Sequence, residues 1–316
     1  MIKNRRAFIT GIRSTKLLIK EKKFLEKYKP WGVILFSRNI KSLSQTRNLT
    51  NQIRKIFKDK NYPILVDQEG GRVNRFKNFF NAEKLTSEYF GNLYNKDIDK
   101  FNDFYKLFIN KTSYLLKLAG LNVNTSPVLD LRYRNSSNII GNRSFSNNPK
   151  IVSDIGNFCI KNYHKNNIGT VIKHIPGHGL AKVDSHKLTP KITIKYKKLL
   201  DKDFSTFKMT KSHLAMTAHI IYEDIDRFNT ATHSKKVISI IRKDIKFKNI
   251  LMSDDISMKS LKYSIKQNTL RAFSAGCNLV LHCNGIYNEM LIVGCNSPIL
   301  SKFMIKKTSQ FYKILS

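Results

Sequence analysis

Short apolar runs alternate with longer amphipathic stretches along all 316 residues of the chain, and few folds accept that pattern. The apolar runs are rich in β-branched residues, which is typical of strands buried in a parallel sheet. Eight runs are predicted to be strands: residues 7–11, 31–37, 62–67, 121–129, 169–174, 214–221, 249–253 and 277–283. Eight strands that alternate with helices predict an α/β protein with a single (β/α)8 barrel of the TIM type.

The stretches between the runs have apolar residues at the spacing of one helix face. In the clearest of them, Phe101, Phe104, Tyr105 and Phe108 recur at i, i+3, i+4 and i+7. The segments 17–28 and 151–159 show the same pattern. We expect these helices to cover the outside of the barrel.

Polar residues follow the predicted strands at the point where each strand ends. They are Arg38 and Asn39, the run 67–71, Asp130, Lys173 and His174, the run 217–219, Asp254 and Asp255, and Asn284. Barrel enzymes hold their active sites at this carboxyl-terminal face, so an active site is expected there. A doubly wound open sheet is the alternative architecture, but no GxGxxG turn follows an early strand.

The stretch 173–186 carries the densest group of reactive side chains. It contains Lys173, His174, His178, Asp184 and His186, and Pro176 with Gly177 predicts that it is a loop after the apolar run 169–172. His174 and His178 have the i, i+4 spacing of a helical zinc site, but the Pro-Gly pair breaks such a helix, so no metal site is predicted. Asp184 and His186 are two residues apart and can point the same way in extended chain. An aspartate in that position can orient a histidine that acts as a base.

The net charge of +35 raises the question of nucleic-acid binding. The basic residues are mostly lysines spread over the whole chain, and the aromatic residues between them have helical spacing, so no dedicated nucleic-acid function is predicted. No apolar run is long enough to cross a membrane, and the start of the chain does not resemble a signal peptide. The four cysteines show no CxxC pairing and suggest free thiols. We expect a cytoplasmic monomer.

Eight segments, in order along nearly the whole chain, resemble the bacterial cytoplasmic β-N-acetylhexosaminidases of glycoside hydrolase family 3. They are residues 31–39, 66–76, 126–130, 141–145, 173–186, 216–219, 252–258 and 275–284. The resemblance implies a somewhat irregular barrel and an enzyme, without a cofactor, that releases terminal N-acetylglucosamine from cell-wall fragments in peptidoglycan recycling. The chain ends soon after its eighth predicted strand, without the sandwich domain usual in family-3 β-glucosidases, so residues 1–316 are expected to form one domain.

The same resemblance assigns catalytic roles to three residues. It makes Asp254 the nucleophile that forms a covalent glycosyl-enzyme, His186 the general acid/base and Asp184 the partner of His186. A histidine departs from the usual pair of carboxyl groups, but its ordinary pKa of about 6.5 suits proton transfer near neutral pH. Asp255 would point away from Asp254 in extended chain and is expected to support the loop.

Five further residues match the family's sugar-binding positions. They are Asp67, Arg75, Arg143, Lys173 and His174. A carboxylate and cationic donors can hold hydroxyl and acetamido groups through charge-assisted hydrogen bonds. Structural roles are the alternatives for two of them, since Asp67 could cap the turn at Gly70 and Arg143 could fix the long loop. Asp130 and His219 are interpreted as supporting groups.

Three other functions compete with this prediction. The first is a family-3 glycosidase with another sugar preference, such as a β-glucosidase. The second is a basic binding protein on a barrel scaffold, against which the presence of Asp254, Asp184 and His186 together argues. The third is a metal-dependent barrel hydrolase, for which the chain shows no further ligand spacing.

Overall fold

The computed structural model describes residues 2–134, 138–183, 185 and 188–316. The strands are β1 (Arg6–Gly11), β2 (Pro30–Leu35), β3 (Ile64–Val66), β4 (Val123–Asn124), β5 (Gly169–Thr170), β6 (Ile172–Ile175), β7 (Lys191–Ile192), β8 (Leu214–Thr217), β9 (Ile221–Tyr222), β10 (Ile250–Asp255) and β11 (Leu279–His282). The α-helices are α1 (Ile19–Tyr28), α2 (Leu43–Phe57), α3 (Ser87–Lys96), α4 (Ile98–Ala119), α5 (Pro149–Lys165), α6 (Tyr196–Asp201), α7 (Ser205–Lys208), α8 (Lys235–Lys243), α9 (Ile265–Ala275), α10 (Tyr287–Asn296) and α11 (Lys302–Leu315).

Nine of the strands form one parallel sheet in the order β5-β4-β3-β2-β1-β11-β10-β8-β6. Its two outer strands, β5 and β6, are separated by Val171 alone, so they are two parts of one strand. Val123 pairs with Gly169 in β5, and Ala215 pairs with Ile172 in β6, which closes the sheet on itself. Counting β5 and β6 once, the barrel has eight strands, and the predicted (β/α)8 fold is confirmed.

Two predicted strands extend too far and one loop is predicted to begin too early, each for a local reason. The strand predicted over 121–129 is β4 alone, because Pro127 has no N–H to continue the ladder and Val128 forms only an isolated bridge with Lys173. The strand predicted over 214–221 stops at Thr217, and β9 pairs instead with β7 outside the barrel. Lys173 and His174 belong to β6 rather than to the loop, since Pro176 and Gly177 break the strand only after Ile175.

The interior of the barrel and its outer layer are two separate apolar clusters. Neighbouring strand residues alternate between them: Ile9, Ile34 and Leu65 point into the barrel, whereas Phe8, Val33 and Ile64 pack under the surrounding helices. Side chains of α11 belong to the interior cluster, in which Phe311 lies 6.0 Å from the ring of Trp31. Helix α11 therefore packs against the apolar interior of the barrel, while the polar residues gather at the carboxyl ends of the strands.

The long helix α4 shows how the amphipathic stretches form the outer layer. Asp97 caps its start by accepting a hydrogen bond from the Lys100 amide at 3.0 Å, and Gly120, at φ +73°, ends it. The predicted stripe is buried with one exception, because Phe104 is 53% exposed at the edge of the packed face. None of the described helices combines the length and apolarity needed to span a membrane.

Candidate active site

A pocket opens between the carboxyl ends of the barrel strands. Its polar lining consists of Asp67, Glu69, Arg75, Arg143, Lys173, His174, His178, Ser185 and Asp254. Its apolar lining consists of Val73, Ile139, Met216, Leu281 and Cys283. Six of the eight predicted site residues therefore come together here, from the ends of three strands (β3, β6 and β10) and from the loop after β4.

The centre of the charged lining is Lys173 in β6, which is 3% exposed. Its Nζ lies 3.0 Å from Asp67 Oδ1, 2.6 Å from Glu69 Oε1 and 3.2 Å from Thr125 Oγ1. An ammonium group has three protons, so these three acceptors use all of them. Lys173 therefore holds the two carboxylates in place, and any direct contact with a ligand falls to their remaining surfaces.

Arg143, the last residue of the short 3-10 turn Gly141–Arg143 in the loop between β4 and α5, completes this cluster. Its Nε and Nη2 donate to the two oxygens of Glu69 at 2.7 and 2.9 Å, in a bidentate pair. On the other side, Arg75 Nη2 lies 3.4 Å from Asp67 Oδ2, and Thr125 donates a short hydrogen bond to Asp67 Oδ1. All four carboxylate oxygens of Asp67 and Glu69 are thus paired.

These contacts set the ionisation of the two carboxyl groups. Burial by itself would raise both pKa values, but the charges of Lys173 and Arg75 lower the pKa of Asp67 well below its usual range. Arg143 and Lys173 likewise lower the pKa of Glu69 to about 2 against the effect of burial. Both groups are carboxylates at neutral pH, so neither can give a proton to a substrate.

A second buried carboxylate, Asp130, positions the two histidines of the pocket. Its Oδ2 lies 2.7 Å from His174 Nδ1, and its Oδ1 accepts hydrogen bonds from the backbone amides of His174 and His178 at 3.2 and 2.7 Å. The Nε2 of His178 is 3.1 Å from Ser185 Oγ, and burial lowers the pKa of His178 to about 4. His178 is therefore neutral at pH 7.

Asp254 and Asp255, at the end of β10, have different surroundings. Asp254 lines the pocket and accepts one hydrogen bond, from the Asp255 amide at 2.7 Å; in the described part of the chain its Oδ2 has no partner. Burial would raise its pKa, but His219, His174 and that amide lower it below the usual value. The Asp255 side chain instead accepts from Ser257 Oγ at 2.7 Å and from the Cys283 amide at 3.1 Å.

These contacts agree with the expected structural role of Asp255, and the same holds for the other two supporting residues. His219 lies between Thr232 Oγ1, at 2.7 Å, and the Asp255 carbonyl, at 2.9 Å, and it does not line the pocket. Asp130 is fully buried behind the two histidines. Asp67 makes side-chain contacts to Lys173, Arg75 and Thr125 instead of capping a turn.

Two predicted residues, Asp184 and His186, lie outside the described residues. Ser185, which stands between them in the sequence, is 3% exposed and lines the pocket. A sequence pattern also points to Glu69, which the resemblance does not assign to the site. Glu69 follows Asp67 by two residues, the same spacing that paired Asp184 with His186, and two such side chains in extended chain share a side.

The pocket offers no assembled metal centre among residues 2–134, 138–183, 185 and 188–316, where no group of three His, Cys, Asp or Glu side chains has the geometry to hold an ion. The carboxylates of Asp67 and Glu69 are already neutralised by Lys173, Arg143 and Arg75. The site can therefore bind neutral polar groups through hydrogen bonds and present the Asp254 carboxylate to them.

Comparison with known proteins gives consistent matches. Residues 9–300 match the model of the glycosyl hydrolase family 3 N-terminal domain. The chain is 33% identical over 259 residues to a β-hexosaminidase of Neisseria meningitidis, covering 80% of this chain and 71% of that protein. It is 34% identical over 260 residues to a β-hexosaminidase of Nitrosomonas eutropha, covering 80% and 73%.

Solved structures agree with these sequence matches. The crystal structure of NagZ from Neisseria gonorrhoeae in complex with N-trifluoroacetyl-D-glucosamine superposes with a TM-score of 0.87 at 29% identity. The match covers 98% of this chain and 90% of that one. That structure has the same barrel with a glucosamine derivative bound.

Proposed function

The chain belongs to glycoside hydrolase family 3, and we propose that it is a retaining enzyme that removes terminal β-1,4-linked N-acetylglucosamine from anhydromuropeptides in cell-wall recycling. Its family and its β-hexosaminidase relatives make it a glycoside hydrolase of the β-N-acetylhexosaminidase type. The retaining mechanism, the roles of individual residues, the muropeptide substrate and a cytoplasmic location are the parts that we propose.

One observation carries the mechanistic part of the proposal: each of the three carboxyl groups that line the described pocket favours the ionised form. The pKa values of Asp67, Glu69 and Asp254 are all lowered. A glycosidase needs a group that protonates the leaving oxygen, and none of these can supply that proton at neutral pH. None of these three described groups is therefore the acid, and we assign that role to His186, next to the pocket residue Ser185 in the sequence.

Asp254 is the carboxylate best suited to attack the sugar. Its Oδ2 has no described hydrogen-bond partner, whereas every oxygen of Asp67 and Glu69 is held by a cation or a hydroxyl group. A carboxylate that is ionised and only lightly held can form a covalent bond to the anomeric carbon and later release it. In the second half of the reaction, deprotonated His186 would take a proton from the attacking water.

The charged cluster around Lys173 is proposed to bind the sugar. Asp67, fixed by Lys173 and Arg75, is placed to accept hydrogen bonds from sugar hydroxyl groups, and His174 presents its other ring nitrogen from a position fixed by Asp130. Because these side chains are held in place before a ligand arrives, the entropy cost of ordering them on binding is small.

The proposal is tested by measuring N-acetylglucosamine release from a defined anhydromuropeptide and comparing nitrophenyl N-acetylglucosaminide with nitrophenyl glucoside. We expect release from the muropeptide and a strong preference for the acetamido sugar. Product of retained anomeric configuration is expected by NMR. A preference for the glucoside would instead identify a β-glucosidase, and an inverted product would exclude the covalent intermediate.

The assignment of the acid is tested with His186→Ala and substrates of graded leaving-group pKa. An activated phenol departs with little help, so the first step should persist on aryl substrates, with a burst followed by slow turnover, while muropeptide hydrolysis is lost. Asp184→Ala should give a weaker form of the same result. The matched comparison is His174→Ala, which removes the other candidate histidine; if the leaving-group dependence appears there and not in His186→Ala, His174 is the acid.

A further inference from the structure

Helix α4 has a row of side chains on its outer surface that the described part of the chain leaves exposed. The row, which we call the α4 seam, consists of Phe104, Leu107, Lys111, Tyr114 and Leu118. Its four apolar and aromatic members are 53%, 65%, 56% and 41% exposed. Exposed apolar residues that stand singly are ordinary, but a continuous row of them is typical of a surface that binds a partner.

A groove of about 280 Å3 runs beside the first half of the α4 seam. Its floor is formed by the buried rings of Phe90 and Phe108, whose centres lie 5.3 Å apart. The groove shares Phe104, Leu107 and Lys111 with the seam, and the other described residues that line it are apolar or aromatic. The lining is therefore apolar except for the ammonium group of Lys111.

The spacing of the α4 seam indicates the shape of the partner. Its members follow one another at intervals of three, four, three and four residues, which is the spacing of positions a and d in a coiled coil. Such a row runs along one side of a helix and accepts the side chains of a second helix between its own. At 1.5 Å per residue the seam is about 21 Å long. The matching occupant is a helix of about four turns with apolar residues at the same spacing.

Lys111, at the centre of the seam, determines the charge that the partner needs. It is exposed, and no ion pair or hydrogen bond of its side chain occurs in the described part of the chain. A helix packed along the seam would bury this ammonium group, and a buried charge is tolerated when it has an oppositely charged partner. The occupant therefore needs a carboxylate opposite Lys111.

A second copy of the chain does not meet this need. Two seams that pack symmetrically, either parallel and in register or antiparallel about their centres, place the two Lys111 side chains against each other. Like charges at that position repel, and each copy also carries a net charge of +35. Charge complementarity therefore favours an acidic partner over self-association.

We propose that the α4 seam and its groove bind an acidic amphipathic helix of another protein. The helix lies along α4 with its apolar residues against Phe104, Leu107, Tyr114 and Leu118, and a central Glu or Asp pairs with Lys111. The groove shares no lining residue with the sugar pocket, so this inference goes beyond the proposed function and does not depend on it.

The test uses three helix-stapled peptides of the length of the seam, with binding measured by fluorescence anisotropy. The first has leucines at positions a and d, except for a glutamate at the central a position. The second is a scrambled sequence of the same composition. The third has a lysine in place of the central glutamate, and its net charge is restored by glutamates on its outer face. Because all three have the same net charge, the overall charge of +35 attracts them equally.

The protein should bind the first peptide about tenfold more tightly than the second or the third. Leu107→Asn should weaken that binding about tenfold, whereas Leu270→Asn, at an exposed leucine of α9, should not. Lys111→Glu should weaken binding of the first peptide and strengthen binding of the third. Its control is Lys106→Glu, the same change of charge at an exposed position of α4 outside the seam, which should affect the first and third peptides alike.

Four results would overturn the proposal. Equal losses from Lys111→Glu and Lys106→Glu would show that only the overall charge attracts the peptide, and equal binding of the scrambled peptide would show that the seam selects no helix. Lack of saturation by every peptide up to about 1 mM would mean that this face binds no such helix. A dimer of the protein alone in analytical ultracentrifugation that Leu107→Asn dissociates would identify a second copy as the occupant. Hydrolysis is not measured in any arm, so failure here leaves the proposed function intact.

Discussion

The carboxylates on the two sides of the pocket differ in how many of their oxygens are paired. On the side of β3 and β6, Asp67 and Glu69 have all four oxygens paired with Lys173, Arg143, Arg75 or Thr125. On the side of β10, Asp254 accepts one described hydrogen bond. The difference matches the roles that we propose, in which Asp67, fixed by charges, holds the sugar and Asp254, with an oxygen that has no described partner, forms the bond to it.

The two sides of the pocket should therefore contribute differently, the ion pairs of Asp67 and Glu69 to the stability of the fold and Asp254 to the reaction. Buried charges are costly to desolvate and are tolerated when each has an oppositely charged partner. Removal of one partner leaves the other charge buried and unpaired, which destabilises the fold. Within the described part of the chain, Asp254 forms no ion pair with a cation. Substitutions on the two sides should therefore have different effects.

The largest effect is expected on the reactive side. Asp254→Ala should reduce kcat by roughly 10^4-fold or more on natural and activated substrates alike, because no carboxylate remains to form the intermediate. The free energy of unfolding should hardly change. Its control is Asp255→Asn, which should keep much more activity; steady-state kinetics showing the reverse order would mean that Asp255 is the nucleophile.

On the paired side, Lys173→Met should destabilise the protein by about 3–5 kcal/mol, because it leaves Asp67 and Glu69 buried next to each other without their shared cation. Chemical denaturation measures this loss. A variant as stable as the original would show that the cluster is not a stabilising unit.

The pH dependence of the same variant provides a control. The pKa of Glu69 is lowered to about 2 and that of Asp67 is lowered further, so their contribution to stability is present above about pH 4.5 and is lost as the pH falls toward 2. With Lys173 removed, these pKa values should return toward their ordinary values. Stability should then depend less on pH between 4.5 and 2.

Asp203 is another buried carboxyl group, and it forms no ion pair within the described part of the chain, so it shows what pairing prevents. Its Oδ2 accepts a hydrogen bond from the Tyr133 hydroxyl at 2.8 Å, its Oδ1 has no partner in the described chain, and burial raises its pKa to about 6. A raised pKa stabilises the fold below about pH 4, and this contribution is lost as the pH rises through 6.

Asp203→Asn should therefore equal the original protein in stability near pH 4 and exceed it by about 1–3 kcal/mol at pH 8, since the amide still accepts from Tyr133 and carries no charge. Thermal unfolding at the two pH values measures this difference. Equal differences at both pH values would show that ionisation of Asp203 is not the cause.

The smallest effect is expected from salt. The lysines that produce the charge of +35 are spread over the whole chain, and exposed charges are screened beyond about 8 Å at physiological ionic strength. KM for a neutral aryl N-acetylglucosaminide should therefore change little between low and high salt. A steep dependence with this substrate would mean that the surface charge takes part in the reaction itself.

Much of the fold was predictable, because the alternation of apolar runs with amphipathic stretches in the sequence follows the alternation of strands and helices in the barrel. Every predicted strand overlaps an observed barrel strand, since apolar β-branched runs can be buried on both faces only in a parallel sheet. The errors came from single backbone groups. Pro127 has no N–H to continue the ladder, so β4 ends early. The predicted sixth strand included Ile221, which instead belongs to β9 and pairs with β7; no local pattern indicated this pairing.

The site was predictable in membership but not in contacts. The family resemblance predicts six site residues that all line one pocket: Asp67, Arg75, Arg143, Lys173, His174 and Asp254. Glu69 was missed although it has the i, i+2 spacing from Asp67, because its importance depends on Arg143, which lies 74 positions further along the chain. The assignments of Asp184 and His186 remain predictions.

The sequence alone determined the order of strands and helices, the end of the barrel where the polar residues gather, and the set of side chains available for chemistry, because these follow from local periodicity and chain direction. Only the tertiary structure decided the state of each side chain. Whether a carboxylate is paired, free or raised in pKa depends on partners distant in sequence, such as Lys173 for Asp67, Tyr133 for Asp203 and none of the described cations for Asp254. Those partners are brought within hydrogen-bonding distance only when the barrel closes.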